Sequence, residues 1–249
     1  PSAGYFVGNP DSNGKLYFLT APPHGHEQFR REFHTYGYGH HHPDTGNVLL
    51  IDDGKWILSD TGYTLCKAGI EHNILLIDGK GQYNDNYPWM PPPPWDIEPE
   101  KVKVTDSGYD INAKLQLQYI YPKEYGLKLW QRSVTLINKS IIIEDTVECT
   151  GKHEITILWG SDYAWKTEGD SGAVNAGNWH VTFFGSGRKL SVEQIRPCRR
   201  YSNHAVHYLQ SLQIKSPGPV NRFKLISVFQ KNADPLAPGK LLELCGVGE

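Results

Sequence analysis

GHHHPDTGNVLLIDDGKWILSDTGY at residues 39–63 and EHNILLIDGKGQ at residues 71–82 decide how the rest of the chain is read. Their apolar runs, residues 48–51, 56–58 and 74–77, have strand length and are bounded by Gly, Asp or Asn. Asp53-Gly54 is a hairpin signal between the first two runs, and Asp78-Gly79 closes the third. Polar residues sit at the ends of these runs: His40, His41 and His42, then Asp44, then Asp60 in a Ser-Asp-Thr-Gly turn, then His72 and Asn73. The expectation is a small group of adjacent strands that bring imidazoles and a carboxylate to one point.

Working outward, residues 5–7 and 15–19 read as two strands around an Asn-Pro-Asp-Ser-Asn-Gly turn. Residues 21–38 are polar, rich in Gly, His and aromatics, and without periodicity, which predicts a long irregular loop. After Gln82 the chain enters YPWMPPPPWDIEP, and four consecutive prolines impose polyproline II geometry there. Trp89 and Trp95 flank that arm. They serve either as a sugar-stacking wall or as hydrophobic studs that pin the arm to the domain. From Val102 onward alternation returns, over residues 113–121, 128–137, 140–148 and 153–159. A second series covers 179–184, 190–195, 206–214, 223–229 and 241–244. Turns recur about every ten residues and no amphipathic helix interrupts them, so the fold class is all-β, a large antiparallel β-sandwich with a Pro-rich arm. Composition does not shift along the chain, and residues 1–249 are read as a single domain.

Bulk properties narrow the function. Among 249 residues, 39% are hydrophobic, enough for a core without disulfides. The net charge of −2, with both signs scattered, removes the electrostatic case for nucleic acid or an anionic membrane as partner. No apolar run is long enough to span a membrane, and the opening PSAGYFVGNP lacks a signal-peptide pattern and reads as a mature or cut end. Cys66, Cys149, Cys198 and Cys245 form no CxxC pair, which excludes a cysteine zinc knuckle and a thioredoxin-type motif. Seven Trp and fourteen Tyr against one Met suit strands, and suit ligands such as sugars that are both polar and apolar.

In a strand His40 and His42 would share a face, and an H-x-H pair with a carboxylate and a further His is a recurrent divalent-metal set. Asp60 and His72 are the natural additional ligands, and zinc suits imidazole and carboxylate together. The competing reading is a solvated histidine run with Asp60 capping a turn. Asp44, following Pro43 and preceding Thr-Gly, is expected to serve the turn itself. His24, His26 and His34 are expected at the surface.

The same residues resemble the second, β-sandwich domain of the heparinase II/III-type polysaccharide lyases, relatives of oligoalginate lyases and dermatan-sulfate epimerases. That family's pattern is a GHxHxD element, a D-x-G turn and an H-N strand ending in D-G-x-G-Q. Here these are residues 39–44, Asp60-Thr61-Gly62, and His72-Asn73 through Gln82; WQRSVTLINKSIIIEDTVE at residues 130–148 resembles the family's later hairpin. The resemblance implies a supersandwich fold and a structural zinc held by His42, Asp60 and His72. It implies that His40 faces an acidic polysaccharide or oligosaccharide, such as a glycosaminoglycan or alginate, cleaved by β-elimination. It also implies a periplasmic or secreted setting and an α/α-toroid domain, missing here or on another chain, as the partner needed for full activity. Tyr38 and Tyr63, with Tyr36, are nearby phenols able to transfer a proton. Arg30, with Arg31, is a candidate for substrate carboxylates or sulfates. Two other classes remain open. One is a carbohydrate-binding module without chemistry; the other is a cupin-like metal enzyme, disfavoured because no Glu follows the H-x-H pair.

Overall fold

Strands form where the sequence alternates, and their turns form where Asp-Gly pairs sit. In the computed structural model, which describes residues 5–8, 14–19, 42–62, 68–83, 85–86, 103–106, 111–137, 140–175, 178–195, 208–231 and 243, both Asp-Gly pairs adopt positive φ. Asp53 and Gly54 have φ of 48° and 70°, and Asp78 and Gly79 have 50° and 76°. That is the left-handed geometry a tight hairpin requires and that Gly and Asp tolerate. The first turn joins β3 (Val48–Asp52) to β4 (Lys55–Leu58). With β1 (Tyr5–Gly8) and β2 (Gly14–Leu19) these form an antiparallel sheet in the order β1-β2-β3-β4.

Two further sheets complete the described architecture. β5 (Leu75–Ile77), β10 (Ile155–Ser161), β14 (Lys189–Ile195) and β15 (Leu209–Lys215) form a four-stranded sheet in the order β14-β15-β10-β5. The third has eight strands, ordered β11-β12-β13-β16-β9-β8-β7-β6. Its members are β6 (Lys103–Asp106), β7 (Ile111–Gln116), β8 (Leu127–Ile137), β9 (Ser140–His153), β11 (Trp165–Glu168), β12 (Ser171–Val174), β13 (Trp179–Gly185) and β16 (Val220–Lys231). All recorded pairings are antiparallel, and the long β8–β9 and β9–β16 ladders form the middle of the large sheet. The expected all-β sandwich is therefore present.

The core lies between the large sheet and the two smaller ones. Strict alternation on β8 turns Trp130, Arg132, Val134 and Leu136 inward, where Leu16, Leu50, Ile57, Leu75, Ile157, Trp159 and Leu212 pack from the smaller sheets. Ile142, Ile226 and Val228 have the opposite parity and form a separate small cluster on the other face.

Several boundaries differ from the sequence reading. β7 stops at Gln116 because Leu117 leaves the extended region (φ −121°, ψ 4°) and starts a 3-10 turn at Gln118–Ile120. The strand expected from His72 begins only at Leu75, since Gly69–Glu71 is also a 3-10 turn. β11 and β12 were not expected, because WKTE and SGAV lack alternation; they are joined through Gly169 at φ 53°. Prolines 91–94 of the arm lie outside the described residues.

Candidate metal centre

β3 starts only at Val48, and residues 42–47 form an irregular turn closed by a hydrogen bond from the Asn47 N–H to the Asp44 carbonyl (2.9 Å). Strand parity therefore does not govern His42. Pro43 cannot donate to a ladder, and the Thr45-Gly46 step turns the chain, with Gly46 at φ 87°. This turn, the Asp60 turn after β4, and the segment between the 3-10 turn and β5 carry the candidate ligands.

The three segments meet. His42 Nδ1 lies 3.2 Å from His72 Nε2, with the two rings edge to face. His72 Nδ1 faces Asp60 Oδ2 at 3.6 Å, an ion-pair distance longer than a hydrogen bond. Asp44, Asp60 and His72 each place a ligand atom within 4.8 Å of the others. Of the expected ligands, Asp60 and His72 thus share a cluster with Asp44, while His42 lies against the Nε2 edge of His72, away from the Nδ1 that faces Asp60. Asp44, expected to serve only its turn, closes that turn with its carbonyl and brings its carboxylate to the cluster.

Asp60 is held at both oxygens. Gly62 N–H donates to Oδ1 (2.8 Å) and Asn47 Nδ2 donates to Oδ2 (2.9 Å). Burial pushes its carboxyl upward, but His72, the Gly62 N–H and His42 outweigh it and hold the group below the usual carboxylate range. Burial likewise pushes His72 downward, yet Asp60, Asp44 and Glu71 raise it above an ordinary imidazole. Carboxylates thus gather around the His72 imidazole. His72 Nδ1 is buried without a hydrogen-bond partner, which is costly unless something else occupies its lone pair. Neutral imidazole nitrogen and carboxylate oxygen are the donors that zinc accepts, so these residues fit such an ion.

Behind the ligands lies a fully bonded polar frame that sequence reasoning did not assign. Asn73 Nδ2 donates to the carbonyls of Val48 (2.7 Å) and Ser59 (3.1 Å), and its Oδ1 accepts from Gly160 N–H. One side chain thereby ties β3, β4 and β10 together. Gln82 clasps the Thr45 peptide from both sides, accepting from its N–H (3.1 Å) and donating to its carbonyl (2.7 Å). Arg132 reaches from the large sheet and donates through Nη1 to the carbonyls of Gly46 (2.8 Å) and Asn73 (2.6 Å). Its remaining donors meet Asp145, and its guanidinium stacks between Trp130 and Trp159. Asn73 and Gln82 belong to the quoted motif, so a signal for them existed. For Arg132 the only hint was a charge at an inward position of an otherwise apolar β8 pattern.

His40, Tyr38 and Tyr63, expected to be catalytic, and Arg30, Trp89 and Trp95, expected to bind substrate, lie outside the described residues. No helix among the described residues is long and apolar enough to cross a membrane. Cys149 is buried, and burial pushes its thiol up to about 11, as expected of an inert core cysteine.

The sequence profile described as "Heparinase II/III-like, C-terminal" matches residues 1–207. A crystal structure of heparinase III superposes with a TM-score of 0.66 at 15% identity, covering 92% of this chain and 35% of that one. The heparan sulfate lyase HepC from Pedobacter heparinus also gives 0.66, at 14% identity, covering 94% of this chain and 36% of that one. At such identities the likeness is one of fold, and the chain spans about a third of those proteins. Curated protein sequences yield no match. On the profile match over most of its length, this chain is a member of the heparinase II/III-like C-terminal family.

Proposed function

We propose that the chain is the β-sandwich part of a polysaccharide lyase that cleaves uronic-acid-containing polymers by β-elimination, with a structural zinc in the centre described above. The observation that carries the reading is the gathering of Asp44, Asp60 and His72, with His42 against the His72 ring, in a chain of this family. His42, Asp60 and His72 would hold the ion, with Asp44 at hand as a further donor. Zinc there would fix its ligands relative to one another rather than activate water.

The chemistry falls to neighbouring residues. In β-elimination the proton α to the uronate carboxylate is removed, the electrons form a carbon–carbon double bond, and the glycosidic oxygen leaves with a proton. That proton is weakly acidic, so the site must neutralise the carboxylate and stabilise the developing enolate. His40, two residues before His42, is assigned to the carboxylate or to the base, and Tyr38 and Tyr63 to proton transfer. Arg30 is assigned to substrate anions, and Trp89 and Trp95 to the sugar faces. A helical domain, as the family resemblance implies, would complete the cleft. The heparinase names of the structural neighbours support an acidic glycan as substrate, and a secreted or periplasmic setting is proposed with it.

The test is ultraviolet absorbance from the new unsaturated sugar end, on incubating heparan, chondroitin and alginate polymers with the chain joined to its helical partner domain. Zinc content of the purified chain is measured in parallel. A rising signal that His40→Ala abolishes at unchanged zinc content supports the reading. Glycan retention with no unsaturated product would make the chain a binding module instead, and a redox-active metal would point to the cupin-like alternative.

A further inference from the structure

One buried residue bonds to all three segments of the candidate metal centre, to two through its side chain and to its own turn through its backbone N–H. Asn47 is 3% exposed. Its Nδ2 donates to Asp60 Oδ2 (2.9 Å), and its Oδ1 accepts from the N–H of Asn73 (3.0 Å), the residue after His72. Its own N–H donates to the carbonyl of Asp44 (2.9 Å). We propose that Asn47 is a positioning residue for the metal, holding the Asp44, Asp60 and His72 segments in ligating relation. The proposal rests on the zinc reading of the preceding section.

The chemistry explains why an amide stands here. A carboxylate ligand needs a donor to fix which lone pairs remain for the metal, and the neighbouring main chain needs an acceptor. A carboxamide supplies both without adding charge; an Asp has no donor when ionised, and an Ala offers neither. Gly62 N–H already fixes Asp60 Oδ1. The Asn47 bond therefore completes the orientation of the carboxylate plane, with Oδ2 left facing His72 Nδ1. Groups that orient metal ligands in this way change affinity by about 10–100-fold when removed. The competing account is that Asn47 is merely one bond of the Asn73 frame, in which case its loss lowers stability and leaves the metal geometry alone.

The experiment loads the purified chain with zinc or cobalt(II). Zinc affinity is read by competition with a chromophoric chelator, and coordination by the visible spectrum of the cobalt form. Wild type is compared with Asn47→Ala and with Val228→Ala, which truncates a buried residue of the separate cluster on the far face of the large sheet. Asn47→Ala is expected to bind zinc about 10–100-fold more weakly, with an altered cobalt spectrum, while Val228→Ala stays within about twofold of wild type. If Asn47→Ala does not fold, Asn47→Ser is read in its place, since its hydroxyl is too short to bridge both partners. Wild-type affinity and spectrum in the Asn47 variant overturn the proposal, as does an equal loss in Val228→Ala. A wild-type chain that binds neither ion overturns the zinc reading itself, a different result from either.

Discussion

Replacing Arg132 with Met should be among the most damaging single changes available to this chain. Arg132 and Asp145 are both fully buried, and their ion pair is 2.8 Å long with a second donor at 3.0 Å. Met retains much of the volume but leaves the Asp145 carboxylate with Trp130 Nε1 as its remaining described side-chain donor (2.8 Å). Breaking a buried pair from one side costs about 3–5 kcal/mol, because the surviving charge has no compensation. The Gly46 and Asn73 carbonyls also lose their shared donor, at about 1 kcal/mol or more each where water cannot replace it. Contributions in one network do not add fully, and a loss of about 4–6 kcal/mol is the expected sum. That is a large part of the ~5–15 kcal/mol that stabilises a typical domain. Urea denaturation followed by Trp fluorescence measures it, since Trp130 and Trp159 flank the guanidinium. The decisive comparison is Arg132→Met/Asp145→Leu, which removes both charges and should be more stable than Arg132→Met alone. Asp145→Asn, a milder change, serves if the Met variant does not fold. A loss below about 1 kcal/mol for Arg132→Met, or a double variant that simply adds the two single losses, would refute the reasoning.

Two other measurements probe the frame. Gly160→Ala would place a Cβ 2.7 Å from the Ser59 carbonyl and 2.9 Å from Leu209, with backbone on one side that cannot yield cheaply. A loss of about 1–3 kcal/mol in denaturant titration is expected. A neutral effect would mean that β4 and β10 are less closely apposed. Just past β5, the edge strand of the β14-β15-β10-β5 sheet, Asp78 pairs with His153 (2.7 Å) and accepts from Glu154 N–H. The hydrogen bond from His153 is the largest influence that holds its carboxyl below the usual value. A depressed carboxyl contributes stability that is fully present above its unfolded value, about 3.9, and is lost as pH falls through the folded one. Wild type should therefore melt above Asp78→Asn at neutral pH, with the gap closing in strong acid. Because Asp78 is half exposed, the gap should also shrink in high salt; a gap that widens in acid would contradict the sign.

The fold was legible because its strongest signals are local. Asp53-Gly54 and Asp78-Gly79 announce turns through backbone freedom alone, and the period-2 pattern of β8 and β9 survives because one face of these strands is buried over most of its length. The short β11 and β12 were illegible for the converse reason: four residues apiece, with three exposed positions in WKTE, carry no periodicity, and their pairing is set by the neighbouring β13. At the site, the candidate ligands and the motif residues Asn73 and Gln82 stand out in the sequence, whereas the distant supports Arg132 and Gly160 do not. Arg132 lies 86 residues from Gly46 and 59 from Asn73, and Gly160 lies 87 from Asn73. Contacts of that separation leave no spacing rule in one sequence. Asp44 shows a subtler limit, because turn chemistry and ligand chemistry call for the same residue type, and local reasoning accounts for only one of them.

The supports also bear on what the centre is for. Asp44 and Asp60 bring ligand atoms within 4.8 Å of His72, and buried Glu71 lies beside it in sequence, its carboxylate accepting from Thr61 Oγ1 (2.8 Å). Gathering carboxylates in a partly dry site is unfavourable unless cations or donors answer them. Part of the answer is on hand: Gly62 N–H and Asn47 Nδ2 serve Asp60, and Thr61 serves Glu71. Two features remain unanswered by these bonds, the buried Nδ1 of His72 and the excess of negative charge around its ring. A core that needed only cohesion would be more stable with apolar residues at these positions. A divalent ion, as proposed for this cluster, would satisfy the lone pair and the charge together, and the polar frame of Asn73, Gln82 and Arg132 stands beside the side chains that would hold it.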